Sequence, residues 1–184
     1  MKKFENILLC CDLDGTLLNS QSEMIESNRK AIEYFKSQDG RFTFVTGRAP
    51  QGIERFSDMI DMPVVLLNGA GIYDFNTRKT IWSLSLLPSA SEMVRQIENA
   101  FHDIGIIVFT DEGMYYERLS QSLRNYYNFE DHGAAEQKNY AEVRTAWRKI
   151  LLVTNEETIG YVRDFLAKTE YAEQYSFMQS GKHF

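Results

Sequence analysis

Three short apolar runs, each closed by a polar residue and a glycine, constrain this chain more than any other feature. Ile7-Leu8-Leu9-Cys10-Cys11 leads into Asp12-Leu13-Asp14-Gly15. Phe42-Thr43-Phe44-Val45 leads into Thr46-Gly47, and Val64-Val65-Leu66-Leu67 into Asn68-Gly69. A continuous apolar run of this length is the pattern of a strand buried on both faces. Between the first two runs lies a helical stretch from Ser27 to Ser37, with Ala31, Ile32 and Phe35 on one side, closed by the turn signal Asp39-Gly40. Pro50 sits where the first turn of a helix tolerates it, with Ile53 and Phe56 behind. The order β-α-β-α-β with short links predicts a parallel sheet covered by helices. Right-handed crossovers place its three strand ends on one edge.

After residue 70 the pattern changes. Ile72 to Phe75 and Thr80 to Ser83 read as a hairpin around Asn76, and Ile106 to Thr110 with Met114 to Glu117 as a second, turning at Gly113. Ser89 with Glu92, and Thr154 with Glu157, have the spacing of capping boxes. Met93, Ile97 and Phe101 recur at helical spacing after the first, and Ile159, Val162 and Phe165 after the second. Helices are expected at 119–128 and 138–146, and strands at 149–153 and 175–178. This half mixes helices with hairpins and reads as a separate α+β unit, so the expected domains are 1–84 and 85–184.

Composition removes several classes. The 184 residues are 43% hydrophobic and 25% charged, which excludes collagen-like, disordered and disulfide-scaffold chains. Twenty bases against 26 acids give a net charge of −6, which argues against nucleic acid or an anionic membrane as partner. A small anionic ligand stays open, because a local site can oppose the global sign. No apolar stretch approaches the roughly 20 residues that span a bilayer. Lys2-Lys3 precedes an apolar run too short for a secretory signal. The only cysteines, Cys10 and Cys11, are adjacent and point to opposite faces of an extended strand, so reduced thiols and a cytoplasmic location are expected. His102, His132 and His183 lack metal-ligand spacing.

The chemistry concentrates at the strand ends. Ligands of open α/β sheets bind beyond the carboxyl ends of the strands, and glycines there let backbone approach a ligand closely. The three segments offer two carboxylates, a hydroxyl, a carboxamide and backbone N–H groups, a set that suits phosphate once its charge is balanced. Two carboxylates facing phosphate imply a divalent cation, and magnesium, which prefers oxygen ligands and shares ligation with phosphate, is the expected one. Asp12 and Asp14, at i and i+2 of an extended chain, point the same way. One can attack phosphorus while the other moves the proton.

Asp12-Leu13-Asp14-Gly15-Thr16-Leu17-Leu18 resembles the first motif of the haloacid dehalogenase (HAD) superfamily, and Val45-Thr46-Gly47-Arg48 its second. With Asn68-Gly69-Ala70 after the third strand and a long insertion following, the likeness is greatest to the Cof-like sugar-phosphatase subclass. The resemblance implies an α/β fold: a partial Rossmann-like parallel-sheet core over 1–84 and an α+β cap over 85–184. It implies Asp12 as nucleophile and magnesium ligand, and Asp14 as general acid/base with its backbone carbonyl on the metal. Leu13 and Gly47 would give backbone N–H groups, and Thr46 its hydroxyl, to the phosphoryl group, with Arg48, Asn68 and Gly69 lining the site. The implied partner is a small phosphorylated metabolite, most naturally a sugar phosphate.

The superfamily's third motif, a lysine, and its fourth, Gly-Asp-x-x-(Asn/Asp)-Asp, have no counterpart in this sequence. Lys182 lacks the required context. The expectation is the front half of a catalytic core with a weakened magnesium site. Ile7 to Cys11 would be an exposed apolar edge, to be covered by a second copy of the chain, by a swapped segment or by the superfamily's remaining core strands. Two readings stay open: a magnesium-dependent phosphatase working through an aspartyl phosphate, and a non-catalytic phosphate-binding or interaction fragment.

Overall fold

The computed structural model describes residues 2–129 and 134–183, so His132 lies outside the described residues. The chain divides into two compact units, Met1–Leu84 and Ser85–Phe184.

In the first unit, β1 (Leu8–Cys11) and β2 (Arg41–Phe44) pair in parallel, with Leu8 opposite Arg41 and Cys11 opposite Phe44. A parallel bridge from Val45 to Val65 carries the pairing on to β3 (Val64–Leu66). The crossover between β1 and β2 contains α1 (Glu26–Ser37), with Glu26 in its first turn and Lys36 in its last, as the helix dipole favours. Gly40 follows because a Cβ there would lie 2.3 Å from the Phe35 ring. Phe42 and Phe44 of β2 are fully buried, their rings edge-on at 5.1 Å, together with Ile53 and Val64. The expected parallel arrangement is present.

Two expectations for this unit are corrected. First, β1 is not buried on both faces: Ile7 is 47% exposed, Leu8 50% and Leu9 38%. Among the described residues β2 is its only ladder partner. Second, the α-helix expected from Pro50 is a pair of 3-10 segments, Pro50–Gly52 and Glu54–Met59. Ile53, Phe56 and Met59 are the apolar side chains buried here, and their spacing of three matches three residues per turn. The hairpin of β4 (Gly71–Asp74) and β5 (Lys79–Ser83) forms as expected and continues the sheet of β3. β3, β4 and β5 form an antiparallel meander. The turn is tied by Asp74, whose Oδ1 accepts from the Asn76 N–H and Oδ2 from the Thr77 hydroxyl. These bonds hold the Asp74 carboxyl below its usual range.

The second unit has a four-stranded sheet in the order β8-β7-β6-β9. β6 (Gly105–Phe109) pairs antiparallel with β7 (Met114–Tyr116) and with β9 (Lys149–Val153), and β8 (Glu136–Gln137) runs parallel to β7. Every residue of β6 is buried. Ile106 and Val108 pack with Met93, Val94 and Ile97 of α2 (Ala90–Ala100) and with Val162 and Leu166 of α4 (Glu156–Leu166). Gly105 carries the opposite contact: a Cβ there would lie 2.8 Å from Leu123 of α3 (Gln121–Tyr126).

Neither expected capping box forms. Ser89 is helical in backbone, and its hydroxyl donates to Gln174 Oε1 and lies 2.7 Å from the Tyr175 hydroxyl, at the end of α5 (Tyr171–Gln174). α4 is capped by Asn155, not Thr154: Asn155 Oδ1 accepts from the Thr158 N–H, while the buried Thr154 hydroxyl has no hydrogen-bond partner among the described residues. The helix expected at 138–146 is a single 3-10 turn, Tyr140–Glu142. Tyr140 is committed elsewhere, its hydroxyl donating to the Ile106 carbonyl and its N–H to Glu117 Oε2. Burial pushes the Tyr140 phenol far above its usual range. Residues 175–178 are irregular rather than a strand. Among the described residues no helix is long and apolar enough to cross a membrane.

Candidate functional site

The first unit brings the three polar strand ends together through hydrogen bonds. Beyond β1, Leu13 is fully buried and its carbonyl accepts from the N–H groups of Thr16, Leu17 and Leu18. This tight turn, passing through Gly15 at φ +74°, anchors position 13 inside and leaves Asp12 and Asp14 exposed on either side. Asp12 Oδ1 accepts from the Leu13 N–H at 2.8 Å, so the N–H expected to face phosphate turns to its neighbour's carboxylate here. Burial raises the Cys11 thiol above its usual range, and the adjacent Cys10 adds to the rise.

Asp14 is held from β2's end. Both its oxygens accept from Arg48, Oδ2 from Nε at 2.8 Å and Oδ1 from Nη2 at 2.7 Å. The Arg48 side chain is only 4% exposed while that of Asp14 is 50% exposed. Arg48 Nη1 donates to the Gly52 carbonyl at 3.0 Å, and the Arg48 N–H to the buried Thr46 hydroxyl at 3.3 Å. Gly47, half-buried, lies between them.

The end of β3 docks on the same backbone. The Thr46 N–H donates to the Val65 carbonyl, the Asn68 N–H to the Thr46 carbonyl, and the Leu67 N–H to the Arg48 carbonyl. Leu67, Asn68 and Gly69 all have left-handed backbone, with φ of 54°, 58° and 93°. Asn68 and Gly69 are exposed. All eight residues singled out in the sequence therefore sit in one bonded set of loops.

Two participants were missed. Gly52 supplies a carbonyl to Arg48, and Leu67 anchors β3's end. Leu67 closes an apolar run that reads as strand, and its left-handed conformation has no sequence signal in a leucine. For Arg48 and Asp14, the available signal was a base and an acid at the tips of neighbouring strands.

As a donor set, the site is rich in oxygen and poor in nitrogen and sulfur. Among the described residues no three His, Cys, Asp or Glu side chains gather to hold a metal ion. Magnesium does not need three: it keeps several waters and is commonly bound by one or two carboxylates plus substrate phosphate. The exposed Asp12 carboxylate and its neighbour Asp14 fit that pattern.

Residues 9–184 match the family model of the haloacid dehalogenase-like hydrolases. The chain belongs to this family. It is similar to the 5-amino-6-(5-phospho-D-ribitylamino)uracil phosphatase YwtE of Bacillus subtilis, at 37% identity over 70 residues, 38% of this chain and 24% of the relative. A haloacid dehalogenase-like hydrolase from Bacteroides thetaiotaomicron shares the fold with a TM-score of 0.81 at 19% identity, over 98% of this chain and 69% of that one. The subclass IIB sugar phosphatase BT4131 superposes with a TM-score of 0.68 at 16% identity, over 86% of this chain and 62% of that one. The chain spans less than half the length of the curated relatives it matches.

Proposed function

We propose that this chain carries the phosphoryl-transfer face of a magnesium-dependent phosphatase acting on a small phosphorylated metabolite. One observation carries the reading: an exposed carboxylate, Asp12, stands at the tip of β1 inside a bonded set formed by the ends of three strands. An Asp12 oxygen attacks phosphorus and the bond to the leaving oxygen breaks, giving an aspartyl phosphate. Asp14 delivers a proton to the leaving oxygen and takes one from the water that later cleaves the acyl phosphate. The Thr46 hydroxyl and the Gly47 N–H donate to the phosphoryl oxygens, the Leu13 N–H joins them once the Asp12 oxygen that it now meets turns to phosphorus, and Asn68 and Gly69 complete the wall, with Arg48 behind it against Asp14. Asp12 and Asp14 would hold the magnesium ion, which when bound offsets charge between carboxylate and phosphate.

The substrate class rests on relatives. One named relative acts on a phosphoribityl compound and one structural neighbour is named a sugar phosphatase, both phosphate esters of polyhydroxylated carbon chains. In this reading the second unit is the cap that selects among such esters. Two free thiols support a reducing, cytoplasmic setting. The exposed edge of β1 supports self-association with a second copy.

The test is hydrolysis of p-nitrophenyl phosphate with magnesium by the chain and its Asp12→Asn variant. The expected result is magnesium-dependent turnover that falls by about a thousandfold or to background in the variant, as for loss of a catalytic group. A second reading, a non-catalytic phosphate-binding fragment, is favoured by the full engagement of the Asp14 carboxylate with Arg48. Equal background in both proteins selects it.

A further inference from the structure

We propose that Arg48 is a positioning residue that acts through Asp14 and does not bind the phosphoryl group itself. The inference rests on the reading above, in which Asp14 moves the proton. It departs from the sequence expectation that Arg48 lines the phosphate site.

The geometry is asymmetric across the pair. Nε and Nη2 of Arg48 meet the two oxygens of Asp14 side by side, an arrangement that fixes the plane and direction of the carboxylate as well as its distance. The remaining nitrogen, Nη1, donates to the Gly52 carbonyl. The guanidinium is almost wholly enclosed and the carboxylate is half exposed, so the pair presents its acidic member outward. Backbone on both sides of the Arg48 side chain is tied as well, the N–H to the Thr46 hydroxyl and the carbonyl to the Leu67 N–H. Turning the head group toward an incoming phosphate would break three hydrogen bonds and leave the Gly52 carbonyl without its guanidinium donor. An ammonium in its place is a point charge and cannot reproduce the fork.

The experiment uses the whole chain in four forms: unaltered, Arg48→Lys, Asp14→Asn, and both. With p-nitrophenyl phosphate and magnesium, Arg48→Lys is expected to lower kcat by about tenfold to a hundredfold, the scale of a misplaced catalytic group, with KM changed by less than about twofold. In the Asp14→Asn background the same change is expected to cost less than about twofold, because the group it positions is gone. Equal losses in both backgrounds, or a rise in KM that accounts for the loss, would overturn the proposal in favour of direct phosphate contact.

A second readout does not depend on turnover. The Arg48 Nε–H resonance in a ¹H–¹⁵N spectrum is expected to be shielded from water exchange. It should move in Asp14→Asn, and stay in place when inorganic phosphate is added to the chain already saturated with magnesium. A resonance indifferent to Asp14→Asn, or one displaced by phosphate, sinks the idea. Asp14→Asn alters an exposed side chain, so it reads the pair even if Arg48→Lys fails to fold. If the unaltered chain neither hydrolyses the ester nor binds phosphate, the proposed function fails, and the Asp14→Asn spectrum still decides whether Arg48 sets Asp14.

Discussion

β1 and β6 begin as the same kind of sequence and end in opposite environments. Ile7 to Cys11 and Ile104 to Phe109 are both unbroken apolar runs apart from Gly105. β6 lies between β7 and β9, has helices packed on it, and is buried at every position. β1 has β2 on one side, and Leu8 stays half exposed. Apolar content thus reports a strand's demand for cover, and neighbouring elements decide whether the demand is met. A run of leucines cannot itself say how many strands flank it.

The comparison can be broken by truncation on both strands. Ile107→Ala in β6 removes a fully buried side chain, and an expected loss of about 2–5 kcal/mol would appear as a lower urea midpoint. Leu8→Ala in β1 is expected to cost less than about 1 kcal/mol, since much of that side chain already meets water. Similar losses would mean that β1 is covered in solution.

A charge on the exposed strand sharpens the same point. Leu8→Lys places a charge on a free edge, the device by which natural sheets resist edge pairing. Light scattering after size exclusion is expected to show less self-association than in the unaltered chain at tens of micromolar. Identical profiles, both monomeric, would remove β1 as a self-association surface.

A pH-dependent effect concerns β9, beside β6. Burial lowers the Lys149 ammonium from its ordinary value of 10.5 to about 8, with the Phe109 ring 5.3 Å away. The folded state therefore releases this proton earlier than the unfolded one. Between about pH 8 and 10.5 the unfolded chain holds more protons, so this group adds stability as pH rises through that window. Relative to Lys149→Met, the unaltered chain should gain in urea midpoint between pH 7 and pH 10. A constant difference between the two would show that Lys149 titrates normally.

Much of the site was legible because it lies at places with local signals. Asp12, Thr46 and Asn68 each follow an apolar run, and glycine marks each turn. The hairpins at Gly113 and around Asn76 were readable for the same reason. What escaped depends on bonds across the chain. Ser89 has the spacing of a cap, yet its hydroxyl serves Gln174 and Tyr175, 85 and 86 residues away. Tyr140 has helical neighbours, yet β6 and Glu117 claim it. The pairing of Arg48 with Asp14 spans 34 residues and becomes visible only when β1 and β2 stand side by side.

That pairing also sets the field a ligand would feel on approach. Of the two acids at the tip of β1, Asp14 carries a guanidinium against it, and Asp12 has no counter-ion among the described residues. A doubly charged anion about 4 Å from one bare carboxylate meets roughly 2 kcal/mol of repulsion in water-like surroundings, and a second bare carboxylate would about double it. The electrostatic barrier at the rim is accordingly the work of a single side chain.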